Sequence, residues 1–176
     1  MNIFLIGYRC TGKSIIGRSL SKKLGWPFLD ADLELIEEYG MTISEIVKKL
    51  GWDKFREMEQ AIIKRTCKND KHIVATGGGA VLDSKNVRQM KRNGVLIWLR
   101  ATPETIKKRM STDKSTEAMR PSLTSKGMLE EIEETLLNRN PYYESAKDFC
   151  VDTDDVGINK ICDIILGEMN HYGLKR

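Results

Sequence analysis

At 176 residues, with 40% hydrophobic and 31% charged residues, the chain has the size and composition of about one globular domain with a real core. Its net charge of +4 is small and its acids are interspersed, so no nucleic-acid-binding face is expected; the densest basic stretch, Arg100 to Lys126, holds seven Lys or Arg against three acids, which suits a triphosphate better than a duplex. No apolar run approaches a membrane span, no basic segment precedes the N-terminal apolar strand as in a signal peptide, and Cys10, Cys67, Cys150 and Cys162 are scattered like reduced thiols, so a cytoplasmic enzyme is expected.

The first element is a short apolar strand, Ile3-Phe4-Leu5-Ile6, and Gly7-Tyr8-Arg9-Cys10-Thr11-Gly12-Lys13-Ser14 follows it directly. This is the phosphate-loop pattern G-x-x-x-x-G-K-[ST] in its proper setting, between a strand and a helix whose Ile15, Ile16, Leu20 and Leu24 are spaced for one face. Gly7 and Gly12 let the loop turn its N–H groups onto phosphate oxygens. The helix N-terminus adds partial positive charge, Lys13 reaches the outer phosphates, and the Ser14 hydroxyl is a ligand for Mg²⁺. A bound nucleoside triphosphate is the direct implication.

Four more apolar runs read as buried parallel strands: Pro27–Leu29, Ile73–Ala75, Val95–Leu99 and Phe149–Val151. Helical spacing is clearest at 14–24, 55–67, 84–92, 102–111, 128–138 and 158–170, and the stretch from Leu33 to Leu50 predicts two short helices broken near Gly40. Strands alternating with helices indicate a three-layer α/β fold around a mostly parallel sheet, with ligands at the carboxyl ends of the strands. The segment from Ser111 to Glu117, continuing through Arg120-Pro121 to Gly127, is polar and suits a lid over bound nucleotide.

Neither Val95–Leu99 nor Ile73–Ala75 is followed by the Asp that holds Mg²⁺ in many phosphate-loop ATPases. Carboxylates stand instead at Asp30 and Asp32, two apart at a strand end and so on one side of it. One could help hold Mg²⁺ through water while the other accepts a proton from an attacking hydroxyl; Asp32 alternatively caps a helix beginning at Leu33. Arg56 and Glu59 share a helix face, and Arg139 closes another helix; two such arginines can clamp a carboxylate. Gly77-Gly78-Gly79 at a strand end implies a close approach to the backbone.

Taken in order, these pieces resemble the shikimate kinase family over nearly the whole chain: the phosphate loop, Phe28-x-Asp30-x-Asp32, Phe55-Arg56-x-x-Glu59, Thr76-Gly77-Gly78-Gly79, Arg120-Pro121, Arg139-x-Pro141-x-Tyr143 and Val151-Asp152-Thr153. The resemblance implies a single-domain phosphate-loop kinase fold over 1–176. It carries a five-stranded parallel sheet in the order 2-3-1-4-5, a substrate-binding segment near 33–61 and a lid near 111–126. It implies phosphorylation of the 3-hydroxyl of shikimate by ATP with Mg²⁺ in aromatic amino-acid biosynthesis, by a monomer with a small-molecule substrate. By that resemblance Gly7, Cys10, Thr11, Gly12, Lys13, Ser14, Ile15, Arg109, Arg120 and Asp154 contact the nucleotide, and Ser14 with Asp30 serves the metal. Asp32, Arg56, Gly77, Gly78, Gly79 and Arg139 contact shikimate, with Glu59 positioning Arg56; Lys13, Asp32 and Arg120 act in catalysis.

Two positions depart from the family pattern: Cys10 stands where glycine is usual, and Ile15 where threonine is common. Cys10 could narrow the loop or make it sensitive to oxidation. Two alternatives remain, a related kinase of another hydroxy acid such as gluconate, and a catalytically silent nucleotide-binding regulatory module. The paired arginines and triple glycine favour shikimate, and the complete set of reactive residues argues against lost catalysis.

Overall fold

The computed structural model describes residues 1–112 and 127–173. Most of the expected lid, Arg120 included, lies outside the described residues. The chain runs β1 (Asn2–Ile6), α1 (Lys13–Leu24), β2 (Phe28–Asp30), α2 (Ala31–Tyr39), α3 (Ile43–Thr66), β3 (Ile73–Ala75), a 3-10 turn (Ala80–Leu82), α4 (Ser84–Asn93), β4 (Gly94–Arg100), α5 (Pro103–Thr112), α6 (Met128–Ala146), β5 (Phe149–Asp152), α7 (Ile158–Met169) and a final 3-10 turn (Asn170–Tyr172).

All strand pairs are parallel, in the order β2-β3-β1-β4-β5, as expected. A parallel sheet covered on both faces needs continuous apolar runs, and every residue of β1 is buried. Ile3 and Leu5 pack with Ile16 and Leu20 of α1 and Ile161 and Ile165 of α7. Phe4 and Ile6 face the other way, onto Ile63 of α3, Met90 of α4 and Tyr143 of α6. Leu5 pairs with Ala75 of β3, and Ile6 with Trp98 of β4, so β1 and β3 end within a residue of each other while β4 runs on to Arg100. The chain order reverses around β1, and the loops that follow the strands therefore open a crevice at that edge.

The helix from Ile43, opened by a capping box between Thr42 and Glu45, breaks at the non-helical Gly51 (φ 82°), where the sequence expects its end, and a second helical stretch carrying Phe55, Arg56 and Glu59 runs on to Thr66. One helix differs from the sequence expectation: Arg139 does not close its helix, because α6 continues through Pro141 to Ala146. An interior proline costs about 3 kcal/mol. Beyond it Tyr143 and Ala146 are both 1% exposed, and burying a large side chain is worth about 1.5–3 kcal/mol, so packing offsets the break.

Candidate active site

The phosphate loop closes on itself through its own polar groups. Lys13, only 7% exposed, donates from Nζ to the carbonyls of Gly7 (2.8 Å) and Tyr8 (2.7 Å), and Thr11 Oγ1 donates to Tyr8 O (2.8 Å). Gly12, at φ 97°, precedes the first residue of α1, which leaves the helix N-terminus facing the loop. Cys10 has φ 59°, a left-handed conformation that favours glycine, which explains why a glycine is the ordinary occupant of this position. Ile15 points outward and is exposed.

Ser14 Oγ donates to Asp30 Oδ2 (2.5 Å), while Asp30 Oδ1 accepts from the backbone N–H of Asp32 (3.2 Å). Asp30, not Asp32, is thus the N-cap, and α2 begins at Ala31 rather than Leu33. Asp32 lies in the first helical turn, 7% exposed, with its carboxyl in the adjacent cleft. Arg109 ties α5 to both loops that flank the nucleotide edge: Nη1 donates to Cys10 O (3.2 Å) and Thr153 Oγ1 (3.0 Å), and Nη2 to Thr153 O (2.5 Å). The Asp154 carboxylate accepts from Thr102 N and Thr102 Oγ1, both at 3.0 Å. It lines a separate hollow beside Trp98, Leu136 and Asn140, whereas Arg109 does not.

Next to the loop is a cleft of about 490 Å³, open mouth included, lined by Tyr8, Arg9, Asp32, Ile43, Trp52, Phe55, Arg56, Glu59, Gly77, Gly78, Gly79 and Arg139. The expected acceptor residues therefore come together, from α2, α3, the β3 loop and α6. Arg56 Nη1 donates to Glu59 Oε2 (2.6 Å), and its guanidinium lies 5.0 Å from the Phe55 ring centroid and 5.6 Å from that of Trp52. The triple glycine meets these groups directly. A Cβ at Gly77 would lie 2.8 Å from Asp32 Oδ1 and also crowd Glu59 Oε1, and one at Gly79 would collide with the Arg56 guanidinium. Tyr143 Oη donates to Gly78 O, which fixes that loop to α6.

These contacts give two tests. On the expected role of Arg56 as a carboxylate ligand, Arg56→Ala raises KM for the acceptor acid about tenfold to a hundredfold with kcat little changed. Gly79→Ala should do the same more mildly, since the guanidinium tip can swing aside without unfolding the loop. Steady-state kinetics check both; an unchanged KM in Arg56→Ala would place the acceptor carboxylate elsewhere.

Glu59 is 3% exposed, and its Oε1 has no hydrogen-bond partner among the described residues. Burial pushes its carboxyl up from 4.5 to about 7, against the pull of Arg56 and with the Asp32 charge adding to the rise. The folded chain thus keeps a proton that the unfolded chain releases. Stability is expected to fall as pH rises from 4.5 to about 7 and to level off above it. Glu59→Gln should flatten that part of the profile in urea denaturation; a slope identical to that of the parent chain would contradict it.

The motifs left some lining residues unmarked. Arg9 and Tyr8 sit at positions the phosphate-loop pattern leaves free, and Arg9 Nη2 forms a salt bridge with Glu131 of α6, 122 residues away. Their one sequence signal is a large ring and a guanidinium inside a loop otherwise made of small residues. Trp52 and Ile43 carried no signal beyond helical spacing.

Residues 9–170 match the profile of the family described as shikimate kinase. A shikimate kinase from Thermodesulfovibrio yellowstonii is 38% identical over 167 residues, covering 95% of this chain and 94% of that protein. Shikimate kinase 2 of Yersinia pestis (strain Pestoides F) is 38% identical over 170 residues, covering 95% and 97%. Among solved structures, the shikimate kinase from Acinetobacter baumannii in complex with shikimate superposes with a TM-score of 0.91 at 28% identity, over 99% of this chain and 95% of that one. With its sheet order, its phosphate loop and its arginine-lined cleft, the chain belongs to the shikimate kinase family.

Proposed function

We infer that this chain transfers the γ-phosphoryl group of ATP to the 3-hydroxyl of shikimate, giving shikimate 3-phosphate and ADP. The observation that carries the reading is the meeting of a phosphate loop with a cleft that pairs Asp32 with Arg56 and Arg139. The arginines hold the carboxylate of the acid by their planar donors and leave its hydroxyl at Asp32. As the oxygen–phosphorus bond to the acceptor forms, the bond between the γ-phosphorus and the bridging β–γ oxygen breaks, and the hydroxyl proton passes to the Asp32 carboxylate. Lys13, now on two loop carbonyls, supplies a buried ammonium to the phosphoryl oxygens, and the loop N–H groups and α1 N-terminus hold the remaining phosphates. Arg120 is assigned to the transferring group from the family pattern; it lies outside the described residues.

The Ser14–Asp30 pair fits a magnesium site. A hydroxyl already orients a carboxylate 2.5 Å away at the mouth of the loop, the hard oxygen donors that Mg²⁺ takes alongside water and phosphate. Ser14 and Asp30 would hold Mg²⁺ there, and the ion would supply positive charge against that developing on the phosphoryl group. A monomer in the cytoplasm with no nucleic-acid partner completes the reading. Among the described residues no helix is long and apolar enough to cross a membrane.

The test is ADP release from Mg-ATP, coupled to NADH oxidation, with shikimate and separately with gluconate. Turnover that requires shikimate is the expected result. Activity with gluconate alone would move the chain to the related kinase, and silence with both despite ATP binding would favour the regulatory module.

A further inference from the structure

Nothing in the phosphate-loop pattern calls for an arginine at position 9. The side chain is nevertheless 12% exposed and lines the acceptor cleft. Glu131, 4% exposed, holds Nη2. The guanidinium lies 5.5 Å from the Tyr8 ring centroid, and its Nε is buried with no hydrogen-bond partner among the described residues. A buried donor left unpaired costs about 1–3 kcal/mol, more on a charged group. The cation is therefore only partly compensated among the described residues, at the edge of the cleft it lines.

A Cβ built at Gly78 would stand 3.5 Å from the backbone nitrogen of Arg9 and 3.7 Å from Arg139 Nη1, so the loop backbone at residue 9 and the Arg139 guanidinium border the same part of the cleft that the Arg9 side chain also lines. Arg56 closes another side against Gly79. The carboxylates of the cleft are already engaged or displaced from that part: Glu59 bonds Arg56, and Asp32 faces Gly77.

We propose that Arg9 is a third guanidinium of the acceptor site, held in place by Glu131 and donating to the carboxylate of the bound hydroxy acid beside Arg139. This rests on the reading of the cleft as the shikimate site and adds a specificity residue to it. Glu131 and Arg139 lie on the same helix, α6, so the buried pair also fixes the phosphate loop against the helix that grips the acid.

The experiment compares kcat/KM for shikimate with kcat/KM for its methyl ester, which keeps the hydroxyls and loses the negative charge. In Arg9→Met the preference for the acid over the ester is expected to fall about tenfold, with KM for ATP unchanged, because one charge-assisted hydrogen bond is lost. Glu131→Gln should lower the preference less, and the double variant should be no worse than Arg9→Met. A structural role alone would depress both substrates by one factor and leave the preference as it was; that result, or no change at all, overturns the proposal. Should Arg9→Met fail to fold in a thermal melt, Arg9→Lys is read instead, with an intermediate loss of preference expected and an unaltered preference overturning the proposal. Wild-type turnover of shikimate in the same assay is the separate check: an inert wild type defeats the functional reading and this proposal with it, whereas an active wild type with an unaltered preference in the variants defeats this proposal alone.

Discussion

Replacing Lys13 by Met is expected to lower kcat about a thousandfold, the upper end of what removing one preorganised donor from a transition state costs. Phosphoryl transfer asks little covalent chemistry of the protein, so in the role proposed for Lys13 the loss of this buried cation falls almost wholly on the barrier. The fold should survive. Lys13 serves the carbonyls of Gly7 and Tyr8, but Tyr8 O also accepts from Thr11, so the substitution leaves Gly7 O as the acceptor deprived of this donor. One lost hydrogen bond of this kind is worth about 1.5–3 kcal/mol, which for a chain of this length shifts the melting temperature by about 3–12 °C. Rapid-quench turnover with saturating ATP and shikimate, beside a thermal melt, separates the two effects. A kcat within tenfold of wild type would show that the ammonium belongs to the empty loop rather than to the reaction.

The split between what the sequence states and what only the structure states follows the range of the interactions. Lys13, Ser14 and the loop glycines are tied to one another by neighbouring backbone, so their spacing alone carries their geometry. Asp30 and Asp32 were legible as a pair for the same reason, although their division of labour was not. Which of them caps α2 depends on whether the helix begins at Ala31 or Leu33, a difference of two residues that apolar periodicity does not resolve. Arg56 and Glu59 were legible as neighbours on one helix face; that Glu59 is raised towards neutrality depends on burial by the tertiary fold and on the Asp32 charge arriving from another helix, against the pull of Arg56 and Arg139. The pairing of Arg9 was hidden, because its partner Glu131 lies on a helix far along the chain. The persistence of α6 past Pro141 was hidden by a local rule that packing overrides: the proline argues for an end, while Tyr143 reaching Gly78 O argues for continuation.

Asp32→Asn is the variant that separates two roles for the carboxylate. Asparagine keeps the size and can still hold the acceptor hydroxyl, but it takes up no proton. If Asp32 acts as proton acceptor, kcat should fall about 10²–10⁴-fold, the usual contribution of a positioned general base, while KM for shikimate moves little. If it only orients the hydroxyl, the transition state of phosphoryl transfer, with little bonding to the incoming oxygen, leaves the proton in place until late, and the loss should stay below about tenfold. The geometry favours the larger value. Asp32 is 7% exposed, and a Cβ at Gly77 would stand 2.8 Å from its Oδ1, so the carboxylate is pressed into the cleft rather than solvated at its edge. Single-turnover rates of Asp32→Asn and Asp32→Ala decide the matter: asparagine as slow as alanine assigns proton transfer, whereas asparagine close to wild type leaves the side chain an orienting role and moves the proton acceptor to the phosphoryl oxygens themselves.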